Sequence, residues 1–170
     1  MPPAPWRGSL PRPRGRPFLV ASDPVPTIRL VYSSAAAGGM TYSTLVDIMS
    51  QAHTRNMAQG ITGILCYGSG QFLQALEGER AAVTALYHRI AGDRRHDDCQ
   101  LISVDEIASR AFPEWTMKVV NWEDGDMARR RALLQADTGS DMFTPGTMTA
   151  TQASAFLVHL AELERELSGD

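Results

Sequence analysis

The sequence predicts an α+β fold, a single sheet with two helices packed on one of its faces. Strand-like and helix-like hydrophobic periods alternate between residues 28 and 120, and a glycine-containing turn joins two of the strands. Of the 170 residues, 44% are hydrophobic, which is enough to bury a core. Because the elements follow the order βαββαββ, we expect a ferredoxin-like sheet followed by C-terminal helices.

Each element is assigned from its period and its flanking residues. In the first helix, Leu45 and Ile48 begin an apolar stripe, and Thr41 or Ser43 is the candidate N-cap. The segment Gly68-Ser69-Gly70 has the length and chemistry of a hairpin turn. The predicted strands are 28–33, 61–67, 71–77, 99–107 and 115–120, and the predicted helices are 41–58 and 79–92.

Composition divides the chain into three parts. Residues 1–27 hold eight of the ten prolines and four arginines against one aspartate, so we expect a flexible segment, a basic arm for a partner, or an artefact of the assigned start. Residues 28–120 form the domain, and residues 121–170 are expected to be helical. This last part contains an apolar seam with alternating spacings of three and four residues, formed by Phe156, Leu160, Leu163 and Leu167. The seam predicts a helix on the bare face of the sheet, a contact to another chain, or both.

Charge and cysteine content exclude several classes of protein. The net charge of −3 argues against a dedicated nucleic-acid-binding protein, and no apolar run is long enough to cross a membrane. Cys66 and Cys99 are too few for a disulfide framework, and neither belongs to a Cys/His cluster. We therefore expect a cytoplasmic protein without a metal site.

Three polar side chains fall among apolar neighbours. Tyr32 and Gln74 alternate in step with the apolar residues of their strands, and Asn56 lies on the apolar stripe of the first helix. Buried amides need partners, so these side chains either satisfy one another in an ordinary core or surround a ligand. A planar polar ring would suit Asn and Gln, which both donate and accept hydrogen bonds.

Five blocks of sequence, in order, resemble the BLUF domain, a flavin-binding blue-light sensor. They are LVYSS, NMAQGITGIL, GQFLQALEG, IAGDRRH and RAFPEWTMK, and the resemblance covers residues 28–120. It implies a ferredoxin-like domain that holds flavin adenine dinucleotide (FAD) non-covalently between its two helices. It also implies that Tyr32 is the light-active tyrosine and that Gln74 is the switch amide between Tyr32 and the flavin.

The resemblance further implies roles for eight other residues. Asn56 would anchor the pyrimidine edge of the flavin, and Arg89 and Asp93 would contact the flavin and its ribityl–phosphate region, although their spacing also suits a simple surface pair. Arg55 departs from the Asn or His often found at this position in relatives, which predicts altered photocycle kinetics. Ile48 and Ile90 would sandwich the ring, and Trp115 and Met117, otherwise plain core residues on one strand face, would relay the signal.

The implied mechanism involves no net catalysis. Light would draw an electron and then a proton from Tyr32 through Gln74, whose amide would end rotated or tautomerised. The change would pass through the last strand and the tail helices to a separate effector, because about fifty residues are too few for an attached enzyme domain. We expect a homo-oligomer, dimer or larger, with the seam in the contact, and an effector such as a cyclic-nucleotide-signalling enzyme or a transcription regulator.

Two other functions suit the same element order. An acylphosphatase-like hydrolase would need an arginine in the loop after the first strand, and residues 33–40 contain none. An RNA-recognition module would need exposed aromatic residues on an open sheet face and a basic surface. The inward position of Tyr32 and the acidic balance argue against that module, so we expect no direct nucleic-acid partner and no membrane partner.

Overall fold

The computed structural model describes residues 25–169, so most of the proline- and arginine-rich segment 1–27 lies outside the described residues. The predicted α+β class is confirmed, with five strands in one sheet. The helices and strands are β1 (Thr27–Ala36), α1 (Tyr42–Ala58), β2 (Thr62–Gly68), β3 (Gln71–Glu79), α2 (Arg80–Ala91), β4 (His96–Glu106), β5 (Lys118–Asn121), α3 (Met127–Thr138) and α4 (Ala150–Ser168).

The strands lie in the order β4-β1-β3-β2-β5. β1 pairs antiparallel with both β4 and β3, and β5 runs parallel to β2 at the sheet edge. The β2–β3 hairpin turns at Ser69 and Gly70, which both have positive φ, as a tight two-residue hairpin requires. In the β1–β3 register Tyr32 stands directly opposite Gln74, so their side chains lie side by side on one face.

The last strand is shorter than predicted. The sequence predicts a strand from 115 to 120, but β5 begins at Lys118, and residues 111–117 form an irregular segment. The carboxylate of Glu77, completely buried on β3, holds this segment by accepting from Ala111 N at 3.0 Å and from Phe112 N at 3.1 Å. Arg29 on β1 pairs with the same carboxylate at 2.7 Å.

Helices cover both faces of the sheet. On one face α2 packs against Leu30 and Leu76 and α1 packs against Leu65 and Phe72. The tail packs on the opposite face, against Val31 and Ile64. The expectation that the tail seam contacts another chain is wrong for Phe156 and Leu160, which are completely buried inside this chain, and Leu163 is 7% exposed. Only Leu167 remains half-exposed. The seam is thus the helix that covers the bare sheet face.

The helices also bear on membrane and RNA binding. None of the helices within residues 25–169 is long and apolar enough to span a bilayer. An RNA-recognition module needs an open sheet face, but Phe156 and Leu157 of α4 occupy this one.

Candidate functional site

A cavity of about 140 Å³ opens between α1, α2 and the sheet. A concave, mostly apolar cavity with a few polar groups is typical of sites for small molecules and cofactors. Its walls are mostly apolar, and Ile48 of α1 and Ile90 of α2 both line it, as the resemblance implies. The remaining apolar walls come from Met40, Leu45, Met49, Ala52, Leu65, Phe72 and Leu86.

The sheet floor of the cavity carries a continuous hydrogen-bonded chain of side chains. The Tyr32 hydroxyl donates to Gln74 Oε1, and Gln74 Nε2 donates to Met117 Sδ at 3.1 Å. Tyr32 is completely buried, and Gln74 is 3% exposed. Burial raises the pKa of the Tyr32 phenol well above its ordinary value, with smaller contributions from Cys99 and Tyr87. The phenol is therefore protonated at neutral pH, and Gln74 Oε1 accepts its hydrogen bond.

Asn56 supplies an unpaired acceptor to the same cavity. It lies in the last turn of α1, is 3% exposed and lines the cavity wall. Its Oδ1 atom is buried and has no hydrogen-bond partner among residues 25–169. A buried, unpaired amide oxygen costs about 1–3 kcal/mol, so a ligand with an N–H group would relieve that cost.

The mouth of the cavity is polar and positively charged. Arg55, Arg89 and Asp93, all implied by the resemblance, line it together with Arg95 and His96. The alternative that Arg89 pairs with Asp93 is not what the structure shows, because Arg95 binds the Asp93 carboxylate instead. Hydrogen bonds from Arg95, against a smaller opposing effect of burial, lower the pKa of Asp93 to about 2.

Arg89 lines the cavity without a carboxylate partner among residues 25–169. Its Nη2 donates to Gln59 Oε1 at 3.4 Å, and it forms no ion pair within residues 25–169. Three guanidinium groups at the mouth, against one carboxylate, favour an anionic group on the ligand.

Trp115 and Met117 do not share a face, contrary to the prediction. Met117 points to the cavity side and contacts Gln74, but Trp115 is half-buried against the core on the α4 side. The alternation rule fails because residues 115–117 precede β5 and are not extended strand. Lys118 and Arg165 instead lie over the Trp115 ring, 5.4 and 4.8 Å from its centroid.

Sequence reasoning missed several residues that shape the site. The Tyr87 ring of α2 packs on Tyr32 with centroids 5.3 Å apart. His96 Nδ1 and Ser34 Oγ share a 2.9 Å hydrogen bond, and the His96 ring packs on Phe72. Gly63 leaves room for Met117, since a Cβ there would meet Ala75 O at 2.1 Å and Met117 Cε at 3.2 Å. His96 lies within a block that carries the resemblance, whereas the contacts of Tyr87 and Gly63 depend on how α2 and Met117 pack against the sheet.

Comparison with known proteins agrees with this geometry. The family model described as "BLUF: Sensors of blue-light using FAD" matches residues 27–118, more than half of the chain. Among curated proteins, the beta subunit of photoactivated adenylate cyclase from Euglena gracilis is 38% identical over 102 residues. That match covers 59% of this chain but 12% of the relative, so the chain spans about an eighth of the length of that protein.

Two solved structures illustrate the likeness of the fold. The photo-activated state of BlsA superposes with a TM-score of 0.70 at 28% identity, covering 79% of this chain and 94% of BlsA. A bacterial light-regulated adenylyl cyclase superposes with a TM-score of 0.60 at 33% identity, covering 65% of this chain and 33% of the cyclase. The first of these likenesses includes part of the region beyond residue 118, since it covers more of the chain than the family model does.

Proposed function

The chain belongs to the BLUF family, the sensors of blue light using FAD, and from this premise we propose that it is a blue-light photoreceptor whose switch is the Tyr32–Gln74 pair. The observation that carries the proposal is the chain of hydrogen bonds from Tyr32 through Gln74 to Met117 beneath the cavity. It connects a protonated, buried phenol to the residue that precedes β5.

The residues around the cavity suit a bound flavin. The unpaired Oδ1 of Asn56 would accept from the N–H of the flavin's pyrimidine ring, and Ile48 and Ile90 would contact its apolar rings. Arg89 and Arg55 at the mouth would bind the phosphate groups, because guanidinium groups pair well with phosphate. Asp93 is already held by Arg95, so its role would be to orient that arginine.

When bound, FAD would absorb the light and accept an electron. The chain supplies the donor and the proton path. Phenol oxidation makes the hydroxyl far more acidic, and Gln74 Oε1 is the hydrogen-bond acceptor already in place to take the proton of Tyr32. The surroundings exclude water, because Tyr32 and Phe72 are completely buried. Proton transfer from Tyr32 would therefore run through Gln74 and not through water, with Oε1 gaining a proton as Nε2 releases one to the reduced flavin, so that the amide stays neutral.

Rotation of the Gln74 amide would change its contact with Met117. In the present orientation Nε2 donates to the thioether sulfur, which is a weak acceptor. After a half-turn, Oε1 would face a sulfur that has no hydrogen to donate, and Nε2 would face the Tyr32 oxygen as a donor. Met117 would lose its hydrogen bond, and the segment leading into β5 would be free to shift.

The first test is a visible spectrum of the purified protein in the dark and under blue light. We expect a flavin spectrum that shifts reversibly to the red in the wild type. Tyr32→Phe should bind FAD but fail to shift, because the hydrogen-bonding hydroxyl is gone. Tyr87→Phe is the matched control, since it removes a hydroxyl from the ring that packs on Tyr32 and should keep the shift.

Two results would contradict this proposal. A colourless protein that takes up no added FAD would exclude the photoreceptor function. A red shift of equal size in Tyr32→Phe and the wild type would show that the protein binds FAD but that Tyr32 is not part of the switch.

We also propose that the light signal leaves through β5 and the C-terminal helices to a partner protein. Relatives named as photoactivated adenylate cyclases support a cyclic-nucleotide-signalling effector as that partner. Size-exclusion chromatography with light scattering, dark and illuminated, tests the expected homo-oligomer, and one unchanged monomeric mass would contradict it.

A further inference from the structure

A buried ion pair joins the two C-terminal helices to the end of the sheet. Arg130 of α3 and Glu164 of α4 are 6% and 8% exposed, and Arg130 Nη2 donates to Glu164 Oε1 at 2.6 Å. Arg130 Nη1 also donates to the carbonyl of Asn121, the last residue of β5, at 2.6 Å, and to the carbonyl of Asp124. One guanidinium thus connects β5, the following loop and both helices.

The second oxygen of Glu164 faces the beginning of β5. Glu164 Oε2 lies 3.7 Å from Lys118 Nζ, a separation that allows attraction but is too long for a hydrogen bond. Lys118 directly follows Met117, whose sulfur accepts from Gln74. A chain of contacts therefore runs from Gln74 to α4, and its weakest member is the Lys118–Glu164 pair.

This network contributes more to the arrangement of β5, α3 and α4 than to the stability of the chain. A buried ion pair adds little net stability compared with apolar packing, because desolvating the two charges offsets their attraction. Here, however, its hydrogen bonds fix where β5 ends relative to α3 and α4. Gly125, with φ +81°, leaves the space for the guanidinium, since a Cβ at that position would lie 3.3 Å from Arg130 Nη2.

We propose that Glu164, held by Arg130 on one side and facing Lys118 on the other, is the positioning residue through which α4 responds to a change at Gln74. The inference rests on the proposed function, because it names the route by which that function would reach the tail helices. Loss of the Gln74–Met117 hydrogen bond would let Lys118 move away from Glu164. The hydrogen bonds of Arg130 would remain, so the change would displace α4 slightly without unfolding it.

Hydrogen exchange of the α4 amides measures this coupling. In the FAD-loaded wild type, illumination should change the exchange rate of amides around Glu164 by about fivefold or more, in the usual range of couplings between sites. Lys118→Met keeps the apolar stem and removes the charge, so the visible red shift should remain while the light-dependent change in α4 is lost. Glu164→Gln should have the same effect.

Glu166→Gln is the matched control. Glu166 also joins α4 to α3, through a 2.5 Å ion pair with Arg129, but these side chains are 63% and 49% exposed, and neither has a hydrogen bond or ion pair to β5 within residues 25–169. This variant should therefore keep both the red shift and the light-dependent exchange in α4.

A dark experiment keeps the inference separate from the photochemistry. Gln74→Met removes the hydrogen-bond donor to Met117 without light, so it should change the exchange of the α4 amides in the dark. When Lys118→Met is present in the same chain, adding Gln74→Met should no longer change that exchange. The proposal is overturned if α4 exchange in Lys118→Met still responds to light, or to Gln74→Met, as strongly as it does without that substitution. It is also overturned if Glu166→Gln abolishes the response of α4 exchange to light as completely as Lys118→Met does. A wild type without a red shift would instead refute the proposed function, and the dark experiment would still decide the coupling.

Discussion

The buried carboxylate of Glu77 offers a sharp test of how the irregular segment before β5 is held. In Glu77→Gln, one oxygen is kept to accept from Arg29 Nε and from Ala111 N, which both contact Oε1. The new NH₂ group replaces Oε2 and faces the N–H of Phe112, so a donor meets a donor. Arg29 would also lose its counter-charge.

The expected loss of stability follows from these contacts. Removing one partner of a buried ion pair costs about 3–5 kcal/mol. The Arg29 side chain is 16% exposed and can recover some hydration, so we expect about 3 kcal/mol, near the lower end. For a chain of this size, that corresponds to a fall in the melting temperature of roughly 6–12 °C.

Thermal unfolding followed by circular dichroism, with and without FAD, measures the effect. Glu106→Gln is the matched control, because Glu106 pairs with Arg80 on the surface and both side chains are more than half exposed. We expect it to cost less than about 1 kcal/mol. Equal effects of the two substitutions would refute the assignment of Glu77 as the anchor of residues 111–112.

Three further predictions concern the cavity, the tail and pH. Asn56→Ala should weaken FAD binding about tenfold or more by titration, while the melting temperature of the FAD-free protein should not fall, because the lost Oδ1 has no partner there. Leu160→Ala should cost about 2–5 kcal/mol in denaturant unfolding, whereas Leu167→Ala should change stability by less than about 0.5 kcal/mol. The hydrogen bond that His159 Nδ1 donates to the Asp137 carboxylate raises the pKa of His159, so the stabilising contribution of this pair is complete below about pH 6.5 and is lost as the pH rises through the folded-state pKa. His159→Gln should abolish that part of the pH dependence of the melting temperature, and an unchanged profile would contradict the pairing.

Much of the sensor domain could be predicted from local pattern. Alternation placed Tyr32 and Gln74 on the same side as the apolar residues of their strands, and the helical period placed Asn56 inward, where all three line the cavity. These rules work because β1, β3 and α1 are regular, so direction follows directly from position along the chain.

The prediction failed where the backbone is irregular or where distant charges meet. Trp115 precedes β5, so its direction depends on the Glu77 anchor and not on strand alternation. The Arg130–Glu164 pair joins residues 34 positions apart on two helices whose docking no periodicity specifies. In the tail, the spacing of Phe156 and Leu160 predicted a helix that covers the sheet, contacts another chain, or both, and the packed structure shows that the sheet covers these two residues.

The most direct test of the account is the light-minus-dark visible difference spectrum of Gln74→Met beside that of the wild type. Methionine fills a similar volume but neither donates nor accepts as an amide does, so the variant should bind FAD and show no reversible red shift. Gln71→Met, on the same strand but outside the cavity lining, is the control and should shift like the wild type. A red shift of wild-type size in Gln74→Met would contradict the claim that the Tyr32–Gln74 pair is the light-sensitive switch.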